Sequence, residues 1–113
     1  MKTIYFDSTE EIMEGTHSED WRIRKAALKN ICPCRVLKKI DTLWERVFEM
    51  VEDEDDRVRD QVVHTLMDGS PNDMEEQIID TLEKMYNDPS KMVRKKVRKG
   101  LTVYRKTGKW NVL

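Results

Sequence analysis

The segment that decides the fold is DDRVRDQV, residues 55–62, because close variants of it occur once before and once after it. The earlier variant is DWRIRKAA at residues 20–27, and the later one is SKMVRKKV at residues 90–97. The copies lie 35 residues apart in both steps, without a gap, and each has an arginine at its fifth position. A regular spacing of this kind is typical of proteins that are built from stacked helical repeats.

The apolar residues of the three copies follow the period of an α-helix. In the middle copy Val58, Val62 and Leu66 are four residues apart, which places them on one face of a helix. The aligned residues of the other two copies are Ile23, Ala27 and Ile31, and Val93, Val97 and Leu101. A further aligned apolar set lies upstream of the copies, at Ile12, Val47 and Leu82. Each repeat is therefore predicted to contain a first and a second helix.

Capping residues and prolines place the ends of the predicted helices. Ser8 with Glu11 fits a capping box, and Ser70-Pro71 and Asp88-Pro89 are each typical of an N-cap followed by proline in the first turn. The predicted first helices are residues 8–15, 36–52 and 71–87, and the predicted second helices are residues 20–32, 55–68 and 90–105. Trp44 lies on the apolar stripe of its helix, whereas Trp21 lies on an outer column and is interpreted as an exposed contact residue.

The predicted fold class is all-α, a short, right-handed α-solenoid of three helical hairpins with about six helices. The chain is expected to form a single domain over residues 1–113. Its repeats are expected at about residues 8–34, 35–69 and 70–106, with loose ends at residues 1–7 and 107–113.

At these residues the chain resembles the HEAT-repeat family, and the resemblance covers roughly residues 8–104. The motif that carries it is an acidic turn, then an apolar residue and arginine at the start of the second helix, as in residues 53–59. The resemblance implies a HEAT-like stack in which the second helices line a concave groove. It also implies that Asp and Arg side chains brace each turn and the neighbouring repeat.

The aligned arginines need acidic neighbours, because the helix dipole disfavours a cation near a helix N-terminus. Asp20 and Asp55 each lie four residues before the arginine of their copy, and they are the expected partners of Arg24 and Arg59. In the third copy Ser90 takes the place of the acid, and Asp88 is the candidate substitute. The Arg59→Ala substitution is therefore predicted to lower the melting temperature.

Charge is segregated along a chain whose formal net charge is −1. Residues 41–88 contain sixteen acidic and four basic residues, whereas residues 89–113 contain nine basic residues and no acidic one. No apolar run approaches the length of about 20 residues that a membrane span needs. Residues 1–7 lack the apolar stretch of a signal peptide. The chain is therefore expected to be cytoplasmic, without membrane insertion.

The predicted function is a non-catalytic protein–protein interaction module that binds its partner in the groove of second helices. The groove is expected to be basic at both ends, which suits an acidic protein surface. The residues predicted to bind the partner are Arg22, Lys25, Lys29, Arg57, His64, Lys95, Arg98 and Lys99.

Three other interpretations remain open, two of them for the basic end. The basic helix 91–109 is a candidate for nucleic-acid binding through phosphate contacts, although the overall pI of 6.1 is low for such a domain. It is equally consistent with a polar cap that keeps the end of a solenoid soluble. The short first helix leaves end-to-end self-association open, so the chain is expected to be a monomer or a weak homo-oligomer.

Catalytic and metal-binding motifs are absent from the sequence. The chain has no nucleophile elbow, no phosphate-binding glycine loop and no zinc-protease motif, so no enzymatic activity and no cofactor are predicted. Cys32 and Cys34, with His17 or His64, form the one candidate zinc ligand set. Their C-x-C spacing is not the usual zinc spacing, and no second cysteine pair exists, so they are interpreted as packing residues.

Overall fold

The computed structural model describes residues 6–31, 41–68 and 72–108. The first helices of the three hairpins are α1 (Thr9–Gly15), α3 (Asp41–Glu49) and α5 (Glu75–Lys84). The second helices are α2 (Trp21–Lys29), α4 (Asp56–Met67) and α6 (Lys91–Thr107). Two 3-10 turns, Met50–Glu52 and Asn72–Met74, flank α3 and α5, and the described residues contain no strand. The prediction of a short all-α solenoid is confirmed.

One apolar core runs through all three hairpins. Val58, Val62 and Leu66 of α4 are completely buried, as the helical period predicts. The aligned residues of α2 and α6 are buried as well, except Ile23, which is half-buried. Trp44 of α3 is buried in the same core, as predicted from its stripe. The second helices also pack on one another, α2 on α4 and α4 on α6, so they form a continuous layer.

Side-chain caps begin α1, α2 and α4. The hydroxyl of Ser8 accepts a hydrogen bond from the backbone N–H of Glu11 at 3.2 Å, which is one half of the predicted capping box, whereas the Glu11 carboxylate accepts the backbone N–H of Asp7 instead of that of Ser8. The predicted cap at Asp88-Pro89 is wrong, because α6 begins two residues later, with Ser90 at its N-cap. Asp88 instead accepts the backbone N–H of Ser90 at 2.8 Å and shapes the turn that precedes α6. Pro33 and Ser70-Pro71 lie outside the described residues.

Part of each loose end predicted at residues 1–7 and 107–113 packs on the core or is helical in the structure. Phe6 is half-buried and packs on the core, with its ring over Gly15, where an added Cβ would have no room. At the other end α6 continues to Thr107 and ends at Gly108, whose φ of 70° is left-handed backbone that glycine adopts without strain. Residues 1–5 and 109–113 lie outside the described part of the chain.

Candidate functional site

An arginine of each of the first two repeats forms an ion pair with an aspartate of the next repeat, and we call each such pair a rung. In the first rung Arg24 Nε donates to Asp53 Oδ2 at 2.9 Å, and Arg24 Nη2 donates to Asp53 Oδ1 at 3.1 Å. The remaining nitrogen, Nη1, donates to the backbone oxygens of Ser18 and Glu19. Arg24 therefore ties its own turn to the turn of the second repeat.

The second rung repeats this geometry between the second and third repeats. Arg59 Nε and Nη2 donate to the carboxylate of Asp88 at 2.9 and 3.1 Å, and Nη1 donates to the backbone oxygen of Asp53 at 2.7 Å. Both side chains are largely buried, with 13% of Arg59 and 7% of Asp88 exposed. Paired bonds of this kind are strong and directional, so the rungs fix the stacking of the hairpins.

The predicted partners of the arginines are wrong, although their bracing role is as expected. Asp20 and Asp55 do not bind Arg24 and Arg59, because each is the N-cap of its helix and accepts a backbone N–H two residues later. Their side chains pair with the arginine at that same position, Arg22 or Arg57. In the third repeat Asp88 does not replace Asp20 or Asp55 as the N-cap. It aligns with Asp53 at the repeat period and accepts an arginine of the preceding repeat in the same way.

Trp21 is not the freely exposed contact residue that its column suggests. It is half-buried and packs against the core. The guanidinium carbon of Arg57 lies 3.6 Å from the centroid of its ring, within the range of a cation–π contact. Arg57 also donates to Asp55 Oδ2 at 2.7 Å, so one arginine links the cap of α4 to the first repeat.

The Asp55→Asn substitution is predicted to remove part of the acid sensitivity of the fold. The hydrogen bond from the Arg57 side chain is the main cause that lowers the pKa of Asp55 from 3.8 to about 2. A pKa lowered in the folded state stabilises the protein above pH 3.8, and this contribution is lost as the pH falls towards 2. Asparagine still caps the helix but carries no charge.

Urea unfolding of both proteins at several pH values between 7 and 2 measures this effect. The difference in the free energy of unfolding between wild type and Asp55→Asn is expected to shrink across that interval. Asp80→Asn, which removes one carboxylate at an exposed position of α5, is the matched control for the change in net charge. A difference for Asp55→Asn that changes no more with pH than the difference for Asp80→Asn would contradict the ion pair.

The outer faces of α2, α4 and α6 are the surface on which the sequence predicts a partner-binding groove, and we call this surface the second-helix groove. Most of the side chains predicted to bind a partner are exposed there, namely Arg22, Lys29, Arg57, Lys95 and Lys99. Lys25 and His64 are half-buried. His64 Nε2 lies 3.6 Å from Asp68 Oδ2, so the centre of the groove is mixed in charge.

Arg98 is exposed but is directed towards the first helix of its own hairpin. Its Nε donates to the backbone oxygen of Tyr86 at 3.1 Å, and its Nη2 donates to Asn87 Oδ1 at 3.0 Å. Its guanidinium carbon lies 4.3 Å from the centroid of the Tyr86 ring. Arg98 therefore braces the turn after α5, and the structure does not group it with the other predicted groove residues.

An ion pair between α4 and α6 was missed from the sequence. Lys96 Nζ donates to Asp60 Oδ2 at 2.9 Å, and both side chains are mostly buried. The other carboxylate oxygen, Asp60 Oδ1, is buried without a hydrogen-bond partner among the described residues. The two residues are 36 positions apart, which is one repeat plus one residue. The repeat period could have indicated that they lie next to each other on stacked second helices.

An acidic depression lies where the turns of the second and third repeats meet. It is wide open to solvent and is lined by Glu54, Asp55, Asp56, Arg59, Pro89 and Ser90. Asp56 accepts the Ser90 hydroxyl at 2.9 Å, which joins the two turns beside the second rung. The depression is therefore a product of the stacking, and its carboxylates are partly occupied by bonds within the chain.

The described residues contain no group of three His, Cys, Asp or Glu side chains that could hold a metal ion. Cys32 and Cys34, the candidate zinc ligands, lie outside those residues. In the described ranges no helix has the length and apolar character needed to cross a membrane.

Comparison with known proteins identifies the repeats. A family model described as HEAT repeats matches residues 9–102, which is most of the chain. The matched range covers α1 to α5 and most of α6. No curated protein and no solved structure matches the chain.

Proposed function

This chain belongs to the HEAT-repeat family, and from that premise we propose that it is a non-catalytic protein–protein interaction module. HEAT repeats are commonly scaffolds for protein interaction. In this proposal the chain works as a single domain over residues 1–113, in the cytoplasm, and its second-helix groove receives the partner. The partner is a protein with an acidic surface.

The observation that carries the proposal is that the groove has exposed cations without ionic partners at both ends. Lys29 on α2 and Lys95 and Lys99 on α6 are exposed, and none of them forms an ion pair within the described ranges. In contrast, the arginines between the repeats form ion pairs: Arg24 with Asp53, and Arg59 with Asp88. Unpaired exposed cations favour association with a surface of opposite charge.

The rungs support the proposal because they hold the groove in one shape before the partner arrives. Each rung joins two repeats through a buried bidentate pair, and the apolar core is continuous behind them. A surface that is already ordered loses less conformational entropy when it binds. The proposed module is therefore a rigid platform rather than a segment that folds on its partner.

Nucleic-acid binding through the basic helix 91–109 is the second candidate. Lys91, Lys95, Lys99 and Lys106 of α6 are exposed and unpaired among the described residues, which favours phosphate contacts. One feature opposes it: the acidic segment, residues 41–88, packs next to that helix in the stack.

Charge reversal at the two ends of the groove tests the proposed function. Partners are captured from native lysate, with and without nuclease, on three tagged proteins: the wild-type chain, Lys29→Glu and Lys99→Glu. Each reversal is expected to weaken capture of a defined protein by about tenfold, because it places like charges against the acidic partner. Capture by the wild-type chain is expected to survive nuclease.

Lys84→Glu is the matched control, because it makes the same charge change on the exposed side of α5. It is expected to capture the partner as wild type does. Equal loss with Lys84→Glu would show that net charge, rather than the groove, controls binding. Loss of all captured material on nuclease treatment would support the nucleic-acid candidate and contradict the groove.

A further inference from the structure

The face of α6 that points away from α4 differs from the corresponding face of α4. On α4 this face carries Asp56, Arg59, Val63 and Met67, and the third repeat covers all four: the first two bind Ser90 and Asp88, and Met67 packs against Gly100. Val63 and Met67 are buried. The aligned residues of α6, which we call the end face, are Lys91, Arg94, Arg98 and Thr102.

The end face is cationic and polar, whereas the α4 face carries one acid, one cation and two apolar residues. Lys91 replaces Asp56, and the buried Val63 and Met67 give way to Arg98 and Thr102, both exposed. The end face therefore lacks the apolar side chains against which another repeat of this type would pack. It carries three cations, and residues 89–113 contain no acid to neutralise them.

Arg94 is held in the same position as the arginines of the two rungs. Its Nη1 donates to the backbone oxygens of Asp88 and Pro89 at 2.7 and 3.0 Å. Arg24 Nη1 bonds two backbone oxygens of its turn and Arg59 Nη1 bonds one, and both arginines use Nε and Nη2 to bind an aspartate. Arg94 forms no ion pair within the described residues, so its Nε and Nη2 edge is available to a carboxylate from outside them.

A second copy of this chain does not supply the missing carboxylate by stacking its first repeat on the end face. The position of Asp53 and Asp88 is Ser18 in the first turn. Ser18 keeps the local role, since its hydroxyl accepts the backbone N–H of Asp20 at 3.1 Å. A single hydroxyl oxygen cannot accept two parallel N–H bonds as a carboxylate does. Head-to-tail stacking therefore leaves Arg94 without a rung.

From these observations we propose that the end face docks an acidic turn of a different protein. An aspartate of that turn binds Arg94 as Asp53 binds Arg24, and Lys91 and Arg98 attract the neighbouring acids. This site lies beside the second-helix groove and does not depend on it. Tyr86, an exposed aromatic residue of the third repeat, lies against Arg98 and supplies apolar contact beside the cations.

Titration followed by the Arg Nε–H signals in NMR spectra of the full chain tests the proposal. The probe is a blocked synthetic peptide EDEDD, the sequence of residues 52–56, and its uncharged counterpart QNQNN is the control ligand. EDEDD is expected to shift the Arg94 signal in a saturable way. The signals of Arg24 and Arg59 are internal references and are expected to stay in place, because their rungs are already formed.

Substitutions decide whether Arg94 is the binding group. Arg94→Gln is expected to weaken EDEDD binding by about tenfold, the effect of losing a bidentate bond to a charged group. Because Arg94 also bonds its own turn, Lys91→Gln is the second variant. The Lys91 side chain forms no hydrogen bond or ion pair within the described residues, and its loss is expected to weaken binding by about threefold. Lys84→Gln, an equal loss of charge on α5, is expected to bind EDEDD as wild type does.

Several outcomes would overturn the proposal. The first is that EDEDD does not shift the Arg94 Nε–H signal, and the second is that QNQNN shifts it as much as EDEDD does. The third is that Lys84→Gln weakens EDEDD binding as much as Arg94→Gln does. A single-stranded DNA oligonucleotide of the same length that moves Arg94 when EDEDD does not would assign the end face to phosphates. Sedimentation that shows the chain to be a dimer, with Arg94 protected in it, would assign the end face to a second copy. If Lys29→Glu and Lys99→Glu fail to weaken partner capture, the groove proposal is contradicted, but the result of this titration at the end face does not change.

Discussion

The Arg59→Ala substitution is expected to lower the free energy of unfolding by about 3 kcal/mol, because it leaves a buried carboxylate without its cation. Asp88 is only 8% exposed, and Arg59 supplies two of the hydrogen bonds to its oxygens. The backbone oxygen of Asp53 also loses its donor at 2.7 Å. The substitution therefore separates the second repeat from the third as well as weakening one turn.

Thermal and urea unfolding of the purified chain measure this effect. For a domain of this size the expected fall in Tm is about 10 °C. Arg22→Ala is the control, since that side chain is 67% exposed and pairs only with the cap of its own helix. Its effect on Tm is expected to be about 2 °C or less. Equal changes for the two variants would contradict a bracing role for Arg59.

The Leu66→Ala substitution is expected to lower the free energy of unfolding by about 3 kcal/mol, through lost burial and the cavity that remains. Leu66 is completely buried in α4, the second helix of the central repeat, which packs on both α2 and α6. Its neighbours belong to three hairpins that share one core. The loss is therefore expected to destabilise the whole stack in a single transition.

Urea unfolding followed by both circular dichroism and tryptophan fluorescence measures this second effect. Trp21 and Trp44 lie in the first and second repeats, so coincident curves would indicate that the stack unfolds as one unit. Met92→Ala is the control, because Met92 is 42% exposed and its truncation is expected to change the free energy by less than about 0.5 kcal/mol. Separate transitions from the two signals would contradict a single cooperative core.

The repeat period was sufficient to predict the helices because side-chain spacing along one helix is a local property. Val58, Val62 and Leu66 define one buried face, and the same spacing in the other copies places all three second helices. In the described residues the helix ends were predicted to within a few residues for the same reason. The start of α6 lies one residue from the predicted position, but its cap was assigned wrongly, because Asp88 serves a turn and a rung and Ser90 is the N-cap.

The partners of the bracing arginines could not be predicted from helical spacing. Arg24 and Asp53 are 29 residues apart, and they meet only because the second hairpin stacks on the first. An acid four residues before each arginine was the nearer candidate, but N-capping by Asp20 and Asp55 uses those carboxylates. The alignment of Ser18, Asp53 and Asp88 at the same period was the signal that could have identified the rungs.

The exposure of the candidate groove residues could be predicted because it follows from the same helical period. Lys29, Lys95 and Lys99 lie opposite the core positions and are exposed. Arg98 lies at the edge of that face, and its bonds to the turn after α5 depend on where the hairpin closes. The cation–π contact between Arg57 and Trp21 joins two repeats, so spacing within one helix does not encode it.

The rungs are the feature on which both proposed surfaces depend, since they fix the groove and prepare Arg94 for a carboxylate. The most direct test is a double-mutant cycle with Arg59→Ala, Asp88→Ala and the combination of both, measured by urea unfolding. A coupling free energy of about 2 kcal/mol is expected, because removing the second partner relieves the charge that the first removal left buried. Additive effects, with coupling within about 0.5 kcal/mol of zero, would contradict the rung as a bond between repeats.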